Sequence, residues 1–331
     1  MTWAEALPVI FLALMGVSML VYVVLDGYDL GVGLLLPRAS TADRDTMIAS
    51  IGPFWDANET WLVLGVGILL IAFPKAHGMV LTALYLPVAV MLIGLILRGV
   101  AFDFRVKAQD DWKPLWNFAF FAGSGIAAAA QGWMLGRYIT GLQTGWESTL
   151  FAAVIAVLLP AAYVLLGACW LVLKTEGDLQ TLAVRWAKIA WPPVVLGMGL
   201  ISVATPLVSQ TVRERWFQLP ELIALSPIPL VTVAALITVR LSLNSRQVVE
   251  RLCWLPFAAT VAVFVLGAIG LAYSLFPFVV MDRLTVWDAA SATESLVVIA
   301  IGCAITVPTI VGYTIWSYRV FGGKVKALRY A

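Results

Sequence analysis

The chain has 331 residues, of which 62% are hydrophobic and 12% are charged, and its mean hydropathy is +0.95. Soluble domains carry about 45–50% apolar and about 25% charged residues, so this chain has too few polar side chains to cover a water-soluble globule. The composition excludes a soluble enzyme, a nucleic-acid-binding protein and a disordered chain, and the net charge of +2 says little about partners.

Long apolar segments follow one another along the chain. A helix needs about 20 apolar residues to cross a hydrocarbon core of about 30 Å, and nine segments meet this requirement. The sequence therefore predicts an all-α polytopic membrane protein, with residues 1–331 forming one integral membrane domain. The predicted spans are 7–36, 48–73, 78–98, 115–136, 149–173, 188–210, 221–240, 252–276 and 291–317.

The basic residues are distributed unevenly between the two sets of loops. Loops after odd-numbered spans, together with the C-terminus, hold most of the 21 lysine and arginine residues, including Lys326 and Arg329. Because cytoplasmic loops are enriched in these residues, we predict a periplasmic N-terminus and a cytoplasmic C-terminus. No basic residue then has to lie deep in the membrane, and Arg98, at the predicted end of span three, either snorkels or pairs with a carboxylate. The opposite loops hold only Lys75, Arg137, Arg213, Arg215 and Arg283.

Two pairs of acidic residues lie inside predicted spans, where a charge is costly and usually functional. Asp26 and Asp29 are three residues apart in span one, and therefore lie on one helical face. Asp56 and Glu59 have the same spacing in span two. At about 1.5 Å per residue, Asp29 and Asp56 each lie about 12 Å from the cytoplasmic surface. Since a short loop makes spans one and two antiparallel neighbours, we expect these two carboxylates at a similar depth.

A buried pair of carboxylates can act as a proton relay. Low dielectric and mutual repulsion favour a shared proton, so the pair can take up and release protons near neutral pH. The alternative is structural, because the carboxylates can also cap helix breaks or hydrogen-bond to Asn58, Tyr28 and the backbone. The sequence leaves both interpretations open, since each of them buries the carboxylates. The candidate helix breaks are Gly27, Gly31 and Pro53.

The other reactive residue types predict no haem or metal site. The three cysteines lie far apart in apolar runs, and His77 is the only histidine, which excludes a bis-histidine haem and a histidine-rich copper site. Most of the 14 tryptophans lie near span ends as an interfacial belt, but Trp61 lies well inside span two. We interpret Trp61 as a packing residue, with the lining of a gas or quinone path as the alternative.

Ordered motifs occur at four places along the chain. They are DGYDLGVGLLLP (26–37), WDANETWLV (55–63), LRGVAFDFR (97–105) and a C-terminal stretch (287–325) that begins WDAAS and ends YTIWSYRVFGGKV. Together they resemble subunit II of cytochrome bd-type quinol oxidases. The resemblance covers almost the whole chain in the right order, and the nine predicted spans agree with it. The chain length and the LILRG segment favour the cyanide-insensitive branch.

The resemblance implies a partner and an activity that composition does not show. The partner is a homologous, haem-bearing subunit I with nine helices, and such a complex can include a small single-helix subunit. The complex oxidises quinol and reduces dioxygen to water in a bacterial inner membrane, which generates proton motive force. Two b-type haems and one d-type haem belong to subunit I, and some family members hold a structural quinone in subunit II. The implied architecture of each large subunit is two four-helix bundles plus a peripheral helix.

The resemblance also implies roles for individual residues. Asp29 and Asp56 match acidic residues of a proton path from the cytoplasm, and Trp61 matches a tryptophan at the mouth of an oxygen channel. Asp26 and Glu59 are second candidates for the proton path. No residue of this chain is expected to ligate haem or a metal ion. The polar support of the path is assigned to Tyr28, Asn58 and Arg98.

Two other functions compete with a proton-conducting oxidase subunit. The first is a proton-coupled secondary transporter, which also places acids in spans, but the glycine-rich break in span one has no evident counterpart in the other half. The second is a purely structural subunit whose polar cluster only holds span one against span two. In addition, Phe54 occupies a position where some relatives carry histidine, so a role of that histidine in proton uptake does not transfer to this chain.

Overall fold

The structure is a computed structural model that describes residues 2–208, 210–219 and 221–325. These residues form 13 α-helices, three short 3-10 helices and one two-stranded antiparallel hairpin of β1 (Phe278–Val280) and β2 (Leu284–Thr285). Lys326 and Arg329 of the predicted cytoplasmic tail, and residue 209 of predicted span six, lie outside the described residues. The helices are α1 (Trp3–Leu35), α2 (Thr41–Ile51), α3 (Trp55–Ala72), α4 (Pro74–Lys107), α5 (Lys113–Ile139), α6 (Trp146–Lys174), α7 (Gly177–Val208), α8 (Gln210–Phe217), α9 (Glu221–Leu225), α10 (Pro227–Asn244), α11 (Leu255–Leu275), α12 (Val286–Ala289) and α13 (Thr293–Val320).

The prediction of nine membrane-spanning helices is confirmed. Within the described ranges, nine helical segments are long and apolar enough to cross a membrane. They are Trp3–Arg38, Trp55–Ala72, Pro74–Lys107, Asp110–Ile139, Trp146–Lys174, Gly177–Leu207, Glu221–Asn244, Leu255–Leu275 and Thr293–Val320.

Span two is shorter than predicted, because residues 48–54 do not belong to it. We predicted one helix over 48–73, whereas α2 ends at Ile51 and α3 begins only at Trp55. Pro53 has no backbone N–H, and its ring crowds the carbonyl four residues earlier, so it interrupts the helix. Residues on either side of this break therefore cannot be placed by counting along one continuous helix.

Span three is longer than predicted. We placed its end at Arg98, but α4 continues to Lys107, and Arg98 is 1% exposed inside the bundle. Arg98 therefore lies within α4 and not at its end. Of the two alternatives for Arg98, pairing with a carboxylate is the one observed. An arginine that is paired with a carboxylate can lie inside a helix bundle. The charged segment after Arg98 was interpreted as a loop, which is why the predicted span ended too early.

The spanning helices form two bundles and one peripheral helix, as expected from the resemblance. α1, α3, α4 and α5 pack in a ring, and α6, α7, α10 and α11 pack in a second ring. The bundles meet where α1 packs against α6. α13 lies at the periphery, since it buries only Leu296 and Ser317.

Two glycines allow α1 and α6 to cross in close contact. A Cβ atom at Gly31 would lie 1.8 Å from the carbonyl oxygen of Tyr163, and a Cβ atom at Gly167 would lie 2.5 Å from the backbone nitrogen of Val32. The obstacle in both cases is backbone, which cannot rotate away as a side chain can. Small residues at such crossings let membrane helices approach closely. The polar half of α1 is therefore held directly against α6.

We expect Gly31→Ala to destabilise the folded chain, because the added methyl group forces α1 away from α6. Overpacking of this kind costs about 1–3 kcal/mol and occasionally more. The measurement is the temperature at which the purified protein loses its monodisperse peak in detergent. Gly67→Ala is the matched control, since nothing lies within 4 Å of a Cβ atom at that position of α3. Equal thermal stability of the two variants would contradict this packing argument.

Candidate functional site

The C-terminal half of α1 is buried around its whole circumference. Every residue from Asp26 to Leu36 lies inside the protein, because α1 is enclosed by helices of both bundles. Asp26, Tyr28 and Asp29 are 0% exposed. Buried polar groups of this kind require partners. Helices α3, α4 and α13 provide them.

Arg98 of α4 joins two carboxylates from different helices. Its Nη1 atom lies 2.6 Å from Oδ1 of Asp26 on α1, and its Nη2 atom pairs with Oε1 of Glu59 on α3. The side chains of Arg98 and Asp26 are each 1% exposed, while that of Glu59 is 28% exposed. The planar guanidinium group suits such a double contact. One buried cation therefore holds α1, α3 and α4 together. When both acids are ionised, the three side chains carry a net charge of about −1.

Asn58 of α3 holds the second carboxylate of α1. Its Nδ2 atom donates to Oδ2 of Asp29 over 2.8 Å and to the hydroxyl of Tyr28 over 3.0 Å. Its Oδ1 atom accepts from the hydroxyl of Tyr318 on α13 over 3.2 Å. The two tyrosine hydroxyls lie 2.5 Å apart. The Oδ1 atom of Asp29 is buried without a hydrogen-bond partner among the described residues.

Aromatic rings enclose this group on the side of α6 and α13. Tyr28 stacks on Trp170 with ring centroids 4.2 Å apart, and Phe54 stacks on Tyr318 at 4.4 Å. The ammonium group of Lys174 lies 5.0 Å from the ring of Trp170 and 5.4 Å from that of Phe54. Phe54 is buried, so an apolar ring closes this side of the group. The rings keep bulk water away from Tyr28 and Asn58.

The expected pairing of Asp29 with Asp56 is not found. Asp56 lies in the first turn of α3, and its side chain is exposed. Asn58, two residues further along α3, is the side chain that contacts Asp29, whereas Asp56 faces outward from the helix start that follows the break at Pro53. Glu59, one turn further along α3, is the residue of this pair that reaches the buried cluster.

Trp61 is buried beside the cluster on α3. Its side chain is 4% exposed, and its Nε1 atom has no hydrogen-bond partner in the part of the chain that the structure describes. A buried indole usually finds a partner for its N–H group. The geometry therefore agrees with packing and leaves one donor available at this point.

Three buried residues that the sequence analysis did not single out form a second polar chain. Gln131 of α5 donates through Nε2 to the hydroxyl of Tyr22 over 2.8 Å and accepts from the hydroxyl of Tyr163 over 2.5 Å. Tyr22 lies one helical turn before Asp26 on α1. The available signal was Gln131 itself, a lone amide within the apolar run of α5, where polar side chains are rare.

Arg105 was also missed as a structural residue. It donates through Nη2 to Asp45 of α2 over 2.7 Å and through Nε to Asn117 of α5 over 2.5 Å. Arg105 follows Arg98 by seven residues, which is two helical turns, so both arginines lie on one face of α4. This spacing within LRGVAFDFR was visible in the sequence. Arg105 fixes α2 below the cluster, and Arg98 fixes the cluster itself.

The strongest ligand types of the chain are one histidine and three cysteines. His77, the histidine, lies in the first turn of α4. Cys169, Cys253 and Cys303 are separate free thiols, and no group of three histidine, cysteine or acidic side chains in the described ranges could hold a metal ion.

Comparisons with known proteins agree with the resemblance found in the sequence. The sequence model of the family described as cytochrome bd terminal oxidase subunit II matches residues 7–321. Cytochrome bd ubiquinol oxidase subunit 2 of Bacillus subtilis is 30% identical over 91% of this chain and 91% of its own length. Cytochrome bd-I ubiquinol oxidase subunit 2 of Escherichia coli is 28% identical over 96% of this chain and 95% of its own.

A solved structure shares the fold. A chain of the bd oxidase from Geobacillus thermodenitrificans matches with a TM-score of 0.78 over 96% of this chain and 98% of its own length, at 14% sequence identity. The nine-helix arrangement of the present chain is therefore that of a bd oxidase chain.

Proposed function

Because the chain belongs to the family of cytochrome bd terminal oxidase subunit II, we propose that it is the haem-free second subunit of a quinol oxidase and carries protons from the cytoplasm. As a member of that family with nine apolar helices, it is a multi-pass protein of a bacterial inner membrane and works in respiratory quinol oxidation with a subunit I. Its own contribution is to stabilise subunit I and to provide part of a proton path.

The buried carboxylates of α1 are the observation that carries this proposal. Asp26 and Asp29 are fully buried in a membrane protein, where ionisable residues are rare and usually functional. Asp29 has one oxygen held by Asn58 and one oxygen free to accept a proton. Glu59 is partly exposed and connects through Arg98 to Asp26. Protons reach the buried acids from the exposed carboxylates of α3.

The order of groups along the path follows from their exposure. Asp56 is exposed in the first turn of α3 and takes up protons from the cytoplasmic side, where the positive-inside rule places this end of the helix. Glu59 passes them inward, and Asp29 holds them inside the bundle. Dioxygen reduction consumes these protons, while quinol oxidation releases protons on the periplasmic side. The net result is charge separation without a pump.

The remaining partners follow from the family. Two b-type haems and one d-type haem reside in subunit I and supply the electron transfer to dioxygen, while this chain supplies no axial ligand. Trp61 lines the route of dioxygen toward subunit I. The complex can include a small single-helix subunit and a structural quinone, and its other contacts are with membrane lipid.

Purification of the tagged chain from its native membrane tests the assignment. We expect a second large membrane subunit to co-purify, and the reduced-minus-oxidised spectrum to contain d-type haem absorption. A stable, colourless chain without such a partner would point to a secondary transporter instead. A coloured complex whose turnover is unaffected by substitution of the carboxylates would leave only the structural role.

A further inference from the structure

Tyr318 connects the peripheral helix to the buried cluster. α13 has few buried residues, yet the hydroxyl of Tyr318 reaches both Tyr28 and Asn58. The chain just after α13 is tied to the end of α6 in both directions. Lys174 donates through Nζ to the carbonyl of Phe321 over 2.7 Å, and Val325 donates through its backbone nitrogen to the carbonyl of Lys174 over 2.8 Å. These contacts hold Tyr318 in place although most of α13 is exposed.

With Asp29 ionised, the hydrogen bonds around Asn58 can be assigned to a consistent set of donors and acceptors. An ionised Asp29 is an acceptor only, so the amide nitrogen of Asn58 must face it. The second amide hydrogen then goes to the hydroxyl oxygen of Tyr28 at 3.0 Å, which is nearer than the competing carbonyl oxygen of Leu25 at 3.4 Å. The amide oxygen of Asn58 needs a donor, and the hydroxyl of Tyr318 is within reach.

This assignment closes a ring of three hydrogen bonds. Asn58 donates to Tyr28, Tyr28 donates to Tyr318, and Tyr318 donates back to Asn58. Both tyrosine hydrogens are used within the ring, so neither tyrosine donates to Asp29. The ring instead prevents the Asn58 amide from rotating by half a turn, which would point its oxygen at the carboxylate. The Oδ1 atom of Asp29 remains the atom that can take a proton.

We propose that Tyr318 is a positioning residue, which locks the Asn58 amide so that it donates to Asp29 and leaves Oδ1 of Asp29 free for protons. This inference rests on the proton-relay function proposed above. α13, the last helix, then contributes to proton transfer, because it carries the hydroxyl that completes the ring. Asp29 is then oriented by a residue 289 positions away in sequence.

Tyr318→Phe tests the inference in the purified oxidase. The variant keeps the ring that stacks on Phe54 and loses only the hydroxyl. At saturating quinol we expect turnover to fall about tenfold. This corresponds to the lower end of the free energy that a hydrogen bond to a charged group contributes, here the bond from Asn58 to Asp29. The KM for quinol and the haem content stay unchanged. In infrared difference spectra, the carboxyl band that disappears in Asp29→Asn shifts in Tyr318→Phe.

Two further variants make the result specific. Tyr313→Phe is the matched control, because Tyr313 lies on α13, is 51% exposed and makes no hydrogen bond through its hydroxyl within the described residues. It should leave both turnover and the carboxyl band unchanged. Tyr28→Phe opens the same ring without altering α13, so it should reproduce the effect of Tyr318→Phe even if the latter assembles poorly.

The outcomes separate this inference from the proposed function. Normal turnover and an unshifted Asp29 band in Tyr318→Phe, with slow turnover in Asp29→Asn, would overturn the positioning role alone. Normal turnover in Asp29→Asn would instead overturn the relay, whatever the tyrosine variants do. Slow turnover in Asp29→Asn, Tyr318→Phe and Tyr28→Phe, with a shifted band in both tyrosine variants, supports the inference.

Discussion

Replacement of Arg98 by methionine is expected to destabilise the assembled protein by about 3–5 kcal/mol, the usual cost of removing one partner from a buried ion pair. Asp26 has the buried guanidinium of Arg98 as its cation, and Glu59 depends on the same group. Without it, the fully buried Asp26 of α1 and the partly buried Glu59 of α3 are left as two acids without a cation. The measurement is the thermal inactivation temperature of the purified oxidase, together with the amount of chain retained in the membrane.

A second substitution distinguishes loss of charge pairing from loss of packing. Arg98→Met combined with Asp26→Asn removes the fully buried one of the two unpaired charges and leaves only the partly exposed Glu59, so it should recover part of the stability lost in the single variant. Arg98→Lys should recover less, because a lysine ammonium cannot present two planar donors to two carboxylates. Lys107→Met is the matched control, since Lys107 is an exposed cation on the same helix. If Arg98→Met were as stable as Lys107→Met, the ion pairs would not hold the three helices together.

The number of spans could be predicted from hydropathy, because each long apolar run depends only on local composition. The exposure of Asp56 could not be predicted, because it depends on whether the chain stays helical through Pro53. A single interruption there moves Asp56 from the interior of a helix to its first turn. Glu59 remained on the buried side because it lies one turn further from the break.

The partners of Asp26 and Asp29 illustrate a second limit. Residues three apart share a face, but they still differ by about 60° around a helix of 3.6 residues per turn. That angle is enough to direct Asp26 to Arg98 of α4 and Asp29 to Asn58 of α3. The contact of Tyr28 with Tyr318 depends on how the last helix returns to the first, which no local pattern encodes. The acids were therefore predictable as candidates, and their partners were not.

Asp29→Asn is expected to slow dioxygen reduction by about 10²-fold or more, as loss of a proton-transferring side chain typically does. The amide has the shape of the carboxylate, and its oxygen can still accept from Asn58, so the hydrogen bond that orients the side chain survives. What it cannot do is bind and release a proton. Haem content and the KM for quinol should therefore match those of the parent, and turnover with proton uptake should fall together.

The comparison with Asp56→Asn decides where along the path each acid acts. Asp56 is exposed on this chain and Glu59 is itself partly exposed, so Asp56 is not the sole entry to the cluster, and we expect only a several-fold decrease in turnover with normal haem content. Asp29 is buried, and water cannot replace it. Asp103→Asn, an exposed acid on α4, is the control that should change nothing. An Asp29→Asn oxidase with normal turnover and proton uptake would show that the buried acids of α1 only hold helices together. A larger loss in Asp56→Asn than in Asp29→Asn would mean that protons pass along the surface of α3 rather than through the buried cluster.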